Sequence, residues 1–463
     1  MSQRAYDTLI YNGRLVLEDG TQDHVSIAIK DGKIAALLQG RDDVEAHERI
    51  DAEGTYILPG LVDSHVHINE PGREDWEGFE TGSQSAAAGG VTTFIDMPLN
   101  SSPCTLDKDS LELKIRAGEA HSIIDFACWG GVTPENLDKV EELQQNGVVA
   151  VKGFTSHSGL DEYKRIDDGM LYDLITQMGK TDGILALHAE NEELIQNFTE
   201  KLKNSGRIDR RAFSESHSPI TETSAVHKAL FLLRNNPVPG KMHFVHTTVA
   251  SCVKEIHEAK NDGYPVTVEV CPHYLTFTED DLVEKGPVAK CAPPLRSADE
   301  KEKLWQCVKE GLVDVIGSDH SPTLCENKNS GNDNIWNAWG GISGLQFSLS
   351  TLYTEGVVKR NVPFHQIVEL MTKKPARLFG LYPKKGCIRV GADADIALFD
   401  PKVSWKVTKN DLHYKNKCSA YIGKELQGKV RMTLSRGTVV YNERGPFFEP
   451  RKKGRFIRPE AKD

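Results

Sequence analysis

YILPGLVDSHVH (56–67) runs apolar from Tyr56 to Val62 and finishes on a His65-Val-His67 pair. A short apolar run of this kind reads as a strand buried on both faces, the signature of a parallel sheet covered by helices. On one strand, residues i and i+2 point to the same side, so both imidazoles at its C-terminal end can reach a single ion.

Working outward, seven more runs share this character: TTFIDMP (92–98), IIDFACWGG (123–131), VVAVKGF (148–154), ILALHAE (184–190), MHFVHTT (242–248), VTVEVCPHY (266–274) and VDVIGSDH (313–320). Each is followed by a longer helix-compatible stretch, and the last unit fades near Gly380. Eight such units predict an α/β fold, a (β/α)8 TIM-like barrel. The rival is an open doubly wound sheet, but no glycine-rich nucleotide fingerprint follows any of the runs. Both ends of the chain have a different rhythm. DTLIYNGRLVL and VSIAIKDGKIAAL carry Asn12-Gly13 and Asp31-Gly32, dipeptides expected to close β-hairpins. GADADIALFD and MTLSRGTVVYN near the C-terminus are equally β-rich, and the two ends are expected to pair into one small β-sandwich. The expected division is residues 1–54 and 386–463 for the sandwich and tail, and 55–385 for the barrel.

Composition narrows the function. Of 463 residues, 39% are hydrophobic and 27% charged, which suits a folded chain with a sizeable core. The net charge of -11 argues against a nucleic-acid partner. The one basic block, RKKGR (451–455), is expected to be a solvated terminus. No apolar run is long enough to predict a membrane span, and the first residues lack a signal-peptide core. The nine cysteines are scattered without a CxxC pair, as in a reducing compartment, so the expected location is the cytoplasm, with a mitochondrial association left open.

Barrel enzymes carry their chemistry at the C-terminal ends of the strands. The first run ends in His65 and His67, the fourth in Lys152, the fifth in His188, the sixth in His246 and the eighth in Asp319. Four imidazoles and a carboxylate at equivalent ends form an N/O donor set suited to zinc, with iron, cobalt or manganese as alternatives. His243, three residues before His246, is expected in the barrel wall, and His320, next to Asp319, faces away. Lys152 is the odd member. It reads as a salt-bridge partner, as a charge near the substrate, or as an amine that combines with carbon dioxide to give a carbamate bridging two cations.

Eight segments carry a resemblance to the amidohydrolase superfamily in its cyclic-amidase branch: GLVDSHVHINEPG (60–72), VKGFTSHSG (151–159), LHAEN (187–191), VHTT (245–248), VCPHYL (270–275), CAPPLR (291–296), GSDHSP (317–322) and AWGGISGLQ (338–346). PARLFGLYPKKGCIRVGADADIALFD (375–400) extends it into the C-terminal segment. The resemblance implies two divalent metals per subunit. His65 and His67 would bind one and His188 and His246 the other, with N6-carboxylated Lys152 between them and Asp319 completing the first. It further implies hydrolysis by a metal-activated bridging hydroxide, with Asp319 as proton shuttle, and a homo-oligomer, dimer or tetramer. Dihydroorotases of this branch carry an arginine two residues after the HxH pair, and hydantoinases and dihydropyrimidinases a tyrosine five residues after the bridging lysine. Here Asn69 and His157 stand at those places. A neutral amide in place of a carboxylate-clasping cation fits an uncharged ring, and the segments are most similar to the allantoinase group, implying allantoin as the small-molecule substrate. Asn69, His157, His273, Ala292 and Gly340 are the expected substrate contacts. The alternatives are a dihydropyrimidinase, hydantoinase or dihydroorotase. Further off are relatives that lose ligands and serve as non-catalytic assembly proteins, whereas all six ligand positions are filled here.

Overall fold

A computed structural model describes residues 6–17, 20–40, 43–445, 447–449 and 453–460. Eight short parallel strands carry the centre of the molecule: β1 (Leu61–Val66), β2 (Val91–Asp96), β3 (Asp125–Cys128), β4 (Val151–Phe154), β5 (Ile184–His188), β6 (Lys241–Phe244), β7 (Val266–Val270) and β8 (Val315–Ile316). Pairing runs in order within two sheets, β1–β2–β3 and β4 through β8. Backbone contacts also span the gaps between them. Val149 N donates to Cys128 O at 3.0 Å, and Val66 forms a parallel bridge with His320. All of β1 and β2 is buried, as the apolar runs predict for strands covered by helices.

The covering helices show why they form. Asp107 caps Lys108–His121 through a capping box with Ser110, and Asp167 caps Asp168–Thr181 by accepting from Met170 N. The second helix buries Leu171, Leu174, Ile175 and Met178, one apolar face at helical spacing. The first buries Lys114, whose ammonium meets the Asp96 carboxylate at the end of β2 at 2.5 Å.

Three expectations need correction. The 56–67 stretch is two strands, not one. Tyr56–Pro59 pairs with Arg14–Leu17 and Ile396–Lys406 in a terminal sheet, and β1 begins at Leu61. Gly60 makes the crossing because a Cβ there would lie 2.1 Å from Thr92 Oγ1. Second, Asn12-Gly13 does not close a hairpin. It passes the chain from Tyr6–Tyr11 in one sheet to Arg14–Leu17 in another. Its glycine answers a close approach, since a Cβ would sit 2.6 Å from Ile57. Asp31-Gly32 does close a hairpin, joining Val25–Lys30 to Lys33–Gln39. Third, the basic tail is not simply solvated. Arg451 and Lys452 lie outside the described residues, but Gly454 is buried, and Phe456 forms a parallel bridge with Phe126 of β3.

The ends of the chain do meet. A six-stranded sheet interleaves N-terminal strands with Ile396–Lys406, Glu425–Ser435 and Thr438–Asn442, beside a four-stranded sheet built from the first 51 residues. Ile10, Ile27, Ile29, Ile57, Ile396 and Leu434 from these sheets share one buried cluster.

Candidate metal centre

The C-terminal ends of β1, β4, β5, β6 and β8 converge. His65 Nε2 lies 3.1 Å from Lys152 Nζ and 3.2 Å from Asp319 Oδ1. His67 Nε2 lies 3.4 Å from the same carboxylate oxygen. His188 Nδ1 and His246 Nε2 are 3.1 Å apart, and the His65 and His246 rings sit 5.3 Å centre to centre. The six expected ligand residues thus form one buried cluster, on strands that lie far apart in sequence.

Two of them hold unusual backbone. His246 has φ 37° and Asp319 φ 43°, left-handed conformations that non-glycine residues adopt at a cost of about 1–3 kcal/mol and that concentrate at functional sites. Glu269 helps to hold the first, accepting from His246 N at 3.2 Å.

Charged side chains behind the cluster set its proton positions. Glu269 accepts from His65 Nδ1 at 2.7 Å and from Ser64 Oγ at 2.7 Å. With the proton on Nδ1, His65 Nε2 is an acceptor that Lys152 Nζ approaches at 3.1 Å and that also faces Asp319 Oδ1, another acceptor. Glu190 accepts from His188 Nε2 at 2.7 Å, which leaves His188 Nδ1 bare toward His246. Carboxylates holding imidazoles in this way are the usual outer support of a metal site. Acceptors aimed at one another are the arrangement a cation reconciles. His65, His67 and Asp319 each offer a ligand atom, all within 4.8 Å of one another, a group that could hold a metal ion, and Cys271, His273 and Asp319 form a second such group.

Burial moves the ionisable groups in the direction such a site needs. It pulls Lys152 down to about 8 and the His67 imidazole down to about 4, so the ligand forms of both are within reach. For Asp319 burial pushes the carboxyl up, but His65, His67 and Lys152 outweigh it and hold it below the usual carboxylate range.

The other expected residues divide. Asn69 is buried at φ 69°, donates to Pro322 O at 3.2 Å and keeps Oδ1 unpartnered. His273 is buried with both ring nitrogens unpartnered. Ala292 and Gly340 face each other, a Gly340 Cβ falling 3.8 Å from Ala292, and both line a cavity of about 450 Å³. His157 lines its rim with a side chain 61% exposed, outside the buried cluster. His243 is in the wall, hydrogen-bonded to Thr267 Oγ1 at 2.8 Å. His320 turns away beside Glu77 and Tyr414.

Sequence reasoning missed Glu269, Glu190 and His217. Glu190 stands two residues after His188, the spacing that singled out His65 and His67, and Glu269 is a lone carboxylate within the apolar run VTVEV. His217 lies in an insertion after β5 with no sequence signal.

The whole-chain comparisons fit this geometry. Residues 56–440 match the amidohydrolase family. The chain belongs to the amidohydrolase family. As an amidohydrolase it is a hydrolytic enzyme. It is 40% identical over 457 residues to the allantoinase of Deinococcus radiodurans, covering 98% of this chain and 99% of that one. It is 40% identical over 461 residues to the allantoinase of Bacillus licheniformis, with coverage of 98% and 99%. Among solved structures, L-hydantoinase (dihydropyrimidinase) from Arthrobacter aurescens superposes with a TM-score of 0.94 at 35% identity, covering 98% of this amidohydrolase and all of that chain.

Proposed function

We propose that this amidohydrolase is an allantoinase, opening the hydantoin ring of allantoin to allantoate at a two-metal centre. The observation that carries the chemistry is the meeting of His65 Nε2, Lys152 Nζ, His67 Nε2 and Asp319 Oδ1 at the ends of separate strands. The near full-length identity to allantoinases supports the substrate. His65 and His67 with Asp319 would hold one divalent cation and His188 with His246 the other, most simply zinc, with carboxylated Lys152 between them. The amine population that burial allows at Lys152 supports the carbamate. Two such cations, when bound, polarise a ring carbonyl and acidify water. Asp319 then takes the proton of the attacking water and returns it to the departing ring nitrogen, base first and acid second. Asn69 Oδ1, His273 and the polar backbone near Ala292 and Gly340 would orient the ring, with His157 at the entrance.

The same reading has β1 to β8 closing into a barrel, supported by the Val66–His320 bridge, and the two terminal sheets packing as a sandwich, supported by their shared core. It also puts the return to the terminal sheets near residue 385, moves the first crossing from residue 54 to Gly60, and gives the enzyme a homo-oligomeric assembly and a cytoplasmic location.

The hydantoinase structures favour a second reading, a hydantoinase or dihydropyrimidinase. Purified enzyme assayed with allantoin, dihydrouracil and dihydroorotate separates them. Allantoin should be opened fastest, and activity should vanish with a chelator and return with zinc or manganese. Faster opening of dihydrouracil or dihydroorotate overturns the allantoinase reading.

A further inference from the structure

Behind the β5 ligand the polar network continues outward. Glu190, 1% exposed, receives His188 Nε2 on Oε2 at 2.7 Å and His217 Nδ1 on Oε1 at 2.9 Å. The carboxylate therefore ties an imidazole of the metal cluster to one that lines the cavity of about 450 Å³. His217 is held from further sides. Its carbonyl accepts from Arg296 Nη1, and Arg296 is itself fixed by Glu222 at 3.1 Å and Thr248 Oγ1 at 2.8 Å. Its ring lies 4.6 Å from Phe213.

Of the cavity's other polar groups, Trp339 Nε1, a donor only, is unpartnered, whereas Lys290 and Glu192 are already engaged. Lys290 Nζ donates to Ile335 O and Ala338 O. The Glu192 carboxylate accepts from His157 N and from Gln196 Nε2. His217 Nε2, by contrast, has no protein partner among the described residues, on a side chain only 14% exposed. With Nδ1–H donated to Glu190, Nε2 is the acceptor of the Nδ1–H tautomer, the form taken here for substrate recognition.

We propose that His217 is a specificity-determining residue, its Nε2 accepting a hydrogen bond from the ureido N–H₂ of a ureido-substituted hydantoin whose ring is held at the cluster. The inference rests on the allantoin reading above. On this proposal the substituent of a ring seated at His65, Lys152 and Asp319 lies in this cavity, because His217, which lines it, stands one carboxylate away from the His188 ligand. Glu190 is the positioning residue, and it carries both imidazoles with two carboxylate oxygens. An amide at this position accepts with only one.

The test measures allantoin kinetics beside unsubstituted hydantoin, used as a substrate or as a competitive inhibitor, on metal-loaded enzyme. His217→Asn keeps a donor for Glu190 but loses the Nε2 acceptor. It is expected to raise the KM for allantoin about tenfold, the order of one lost hydrogen bond, while hydantoin affinity and metal content stay within about twofold. His217→Gln, whose amide oxygen reaches the Nε2 position, should restore part of the loss. Glu190→Gln should weaken allantoin recognition and lower metal content together. Equal losses on both ligands, or an unchanged allantoin KM in His217→Asn, overturn the proposal while leaving the allantoinase reading intact. A wild-type enzyme that opens hydantoin but not allantoin overturns that reading and this inference with it.

Discussion

Glu269 reaches three parts of the metal cluster at once: the His65 imidazole, the Ser64 hydroxyl and the backbone of His246. In Glu269→Gln the amide can keep an acceptor at the Oε1 place that His65 Nδ1 and His246 N share, but it loses the negative charge that supports the His65 imidazole as a ligand. Metal affinity should fall about 10–100-fold, read as metal retained after dialysis against a weak chelator. Unchanged metal content would reduce Glu269 to a packing residue. Asp319→Asn removes the proposed proton shuttle while leaving one oxygen near His65 and His67. Turnover should drop about 10²–10⁴-fold with an unchanged circular dichroism spectrum, and an active variant would move the shuttle elsewhere. Lys152→Ala should lose both metal and activity, with short-chain carboxylic acids restoring part of each, because a diffusible carboxylate can take the place of a carbamate. Full activity without the acid would exclude the bridge. These ligand positions were legible because a strand end is a place as well as a residue. The supporting carboxylates were not, since Glu269 gains its meaning from His65, 204 residues away, and Glu190 from a ring nitrogen that sequence does not show.

Among the elements, the eight apolar runs all became strands where expected, because burial on both faces leaves a composition signal that periodicity does not have to supply. The first boundary failed. YILPGLVDSHVH reads as one strand, and only the packing of Thr92 against Gly60 shows that two sheets meet there. Asn12-Gly13 failed for a related reason. A hairpin dipeptide specifies a reversal and leaves open whether the two flanking strands pair with each other. The Gly60 contact gives a direct test. Gly60→Ala places a methyl 2.1 Å from Thr92 Oγ1 and 2.5 Å from Cγ2, and overpacking of this kind costs about 1–3 kcal/mol. The urea midpoint should fall accordingly, and Thr92→Ala in the same chain should recover part of the loss because it removes the two nearest atoms. Additive losses in the double variant would show that the crossing tolerates a side chain by moving elsewhere.

At the scale of the whole molecule, a buried charge cluster ties the parallel strands to the terminal sheets. Lys385 Nζ lies 2.6 Å from Asp125 of β3, 3.0 Å from Asp393 and 2.8 Å from Asp395, and Arg436 Nε is 3.2 Å from Asp125. Lys385 is fully buried, and so is the Asp125 carboxylate it meets. Burial opposes the Lys385 charge, but the three carboxylates outweigh it and hold the ammonium above the ordinary lysine range. Its contribution is therefore present throughout neutral pH and is lost only as pH rises beyond that range. Lys385→Met removes the buried cation and leaves the three carboxylates to Arg436 and, at Asp393, to the exposed Lys33 at 3.7 Å, a loss of about 3–5 kcal/mol for a broken buried pair. The pH dependence of that loss has a definite sign. Burial already raises Asp395, and without Lys385 the native state of the variant should hold a proton on the cluster that the unfolded chain releases. When the native state binds more protons, stability falls with rising pH. The deficit of Lys385→Met relative to wild type should then be smaller at pH 5 than at pH 8, measured by urea unfolding of metal-loaded protein at both. A deficit that is equal at the two pH values, or larger at pH 5, would mean that the carboxylates find another cation and that Lys385 is not what joins the two ends of the chain to the strands at its centre.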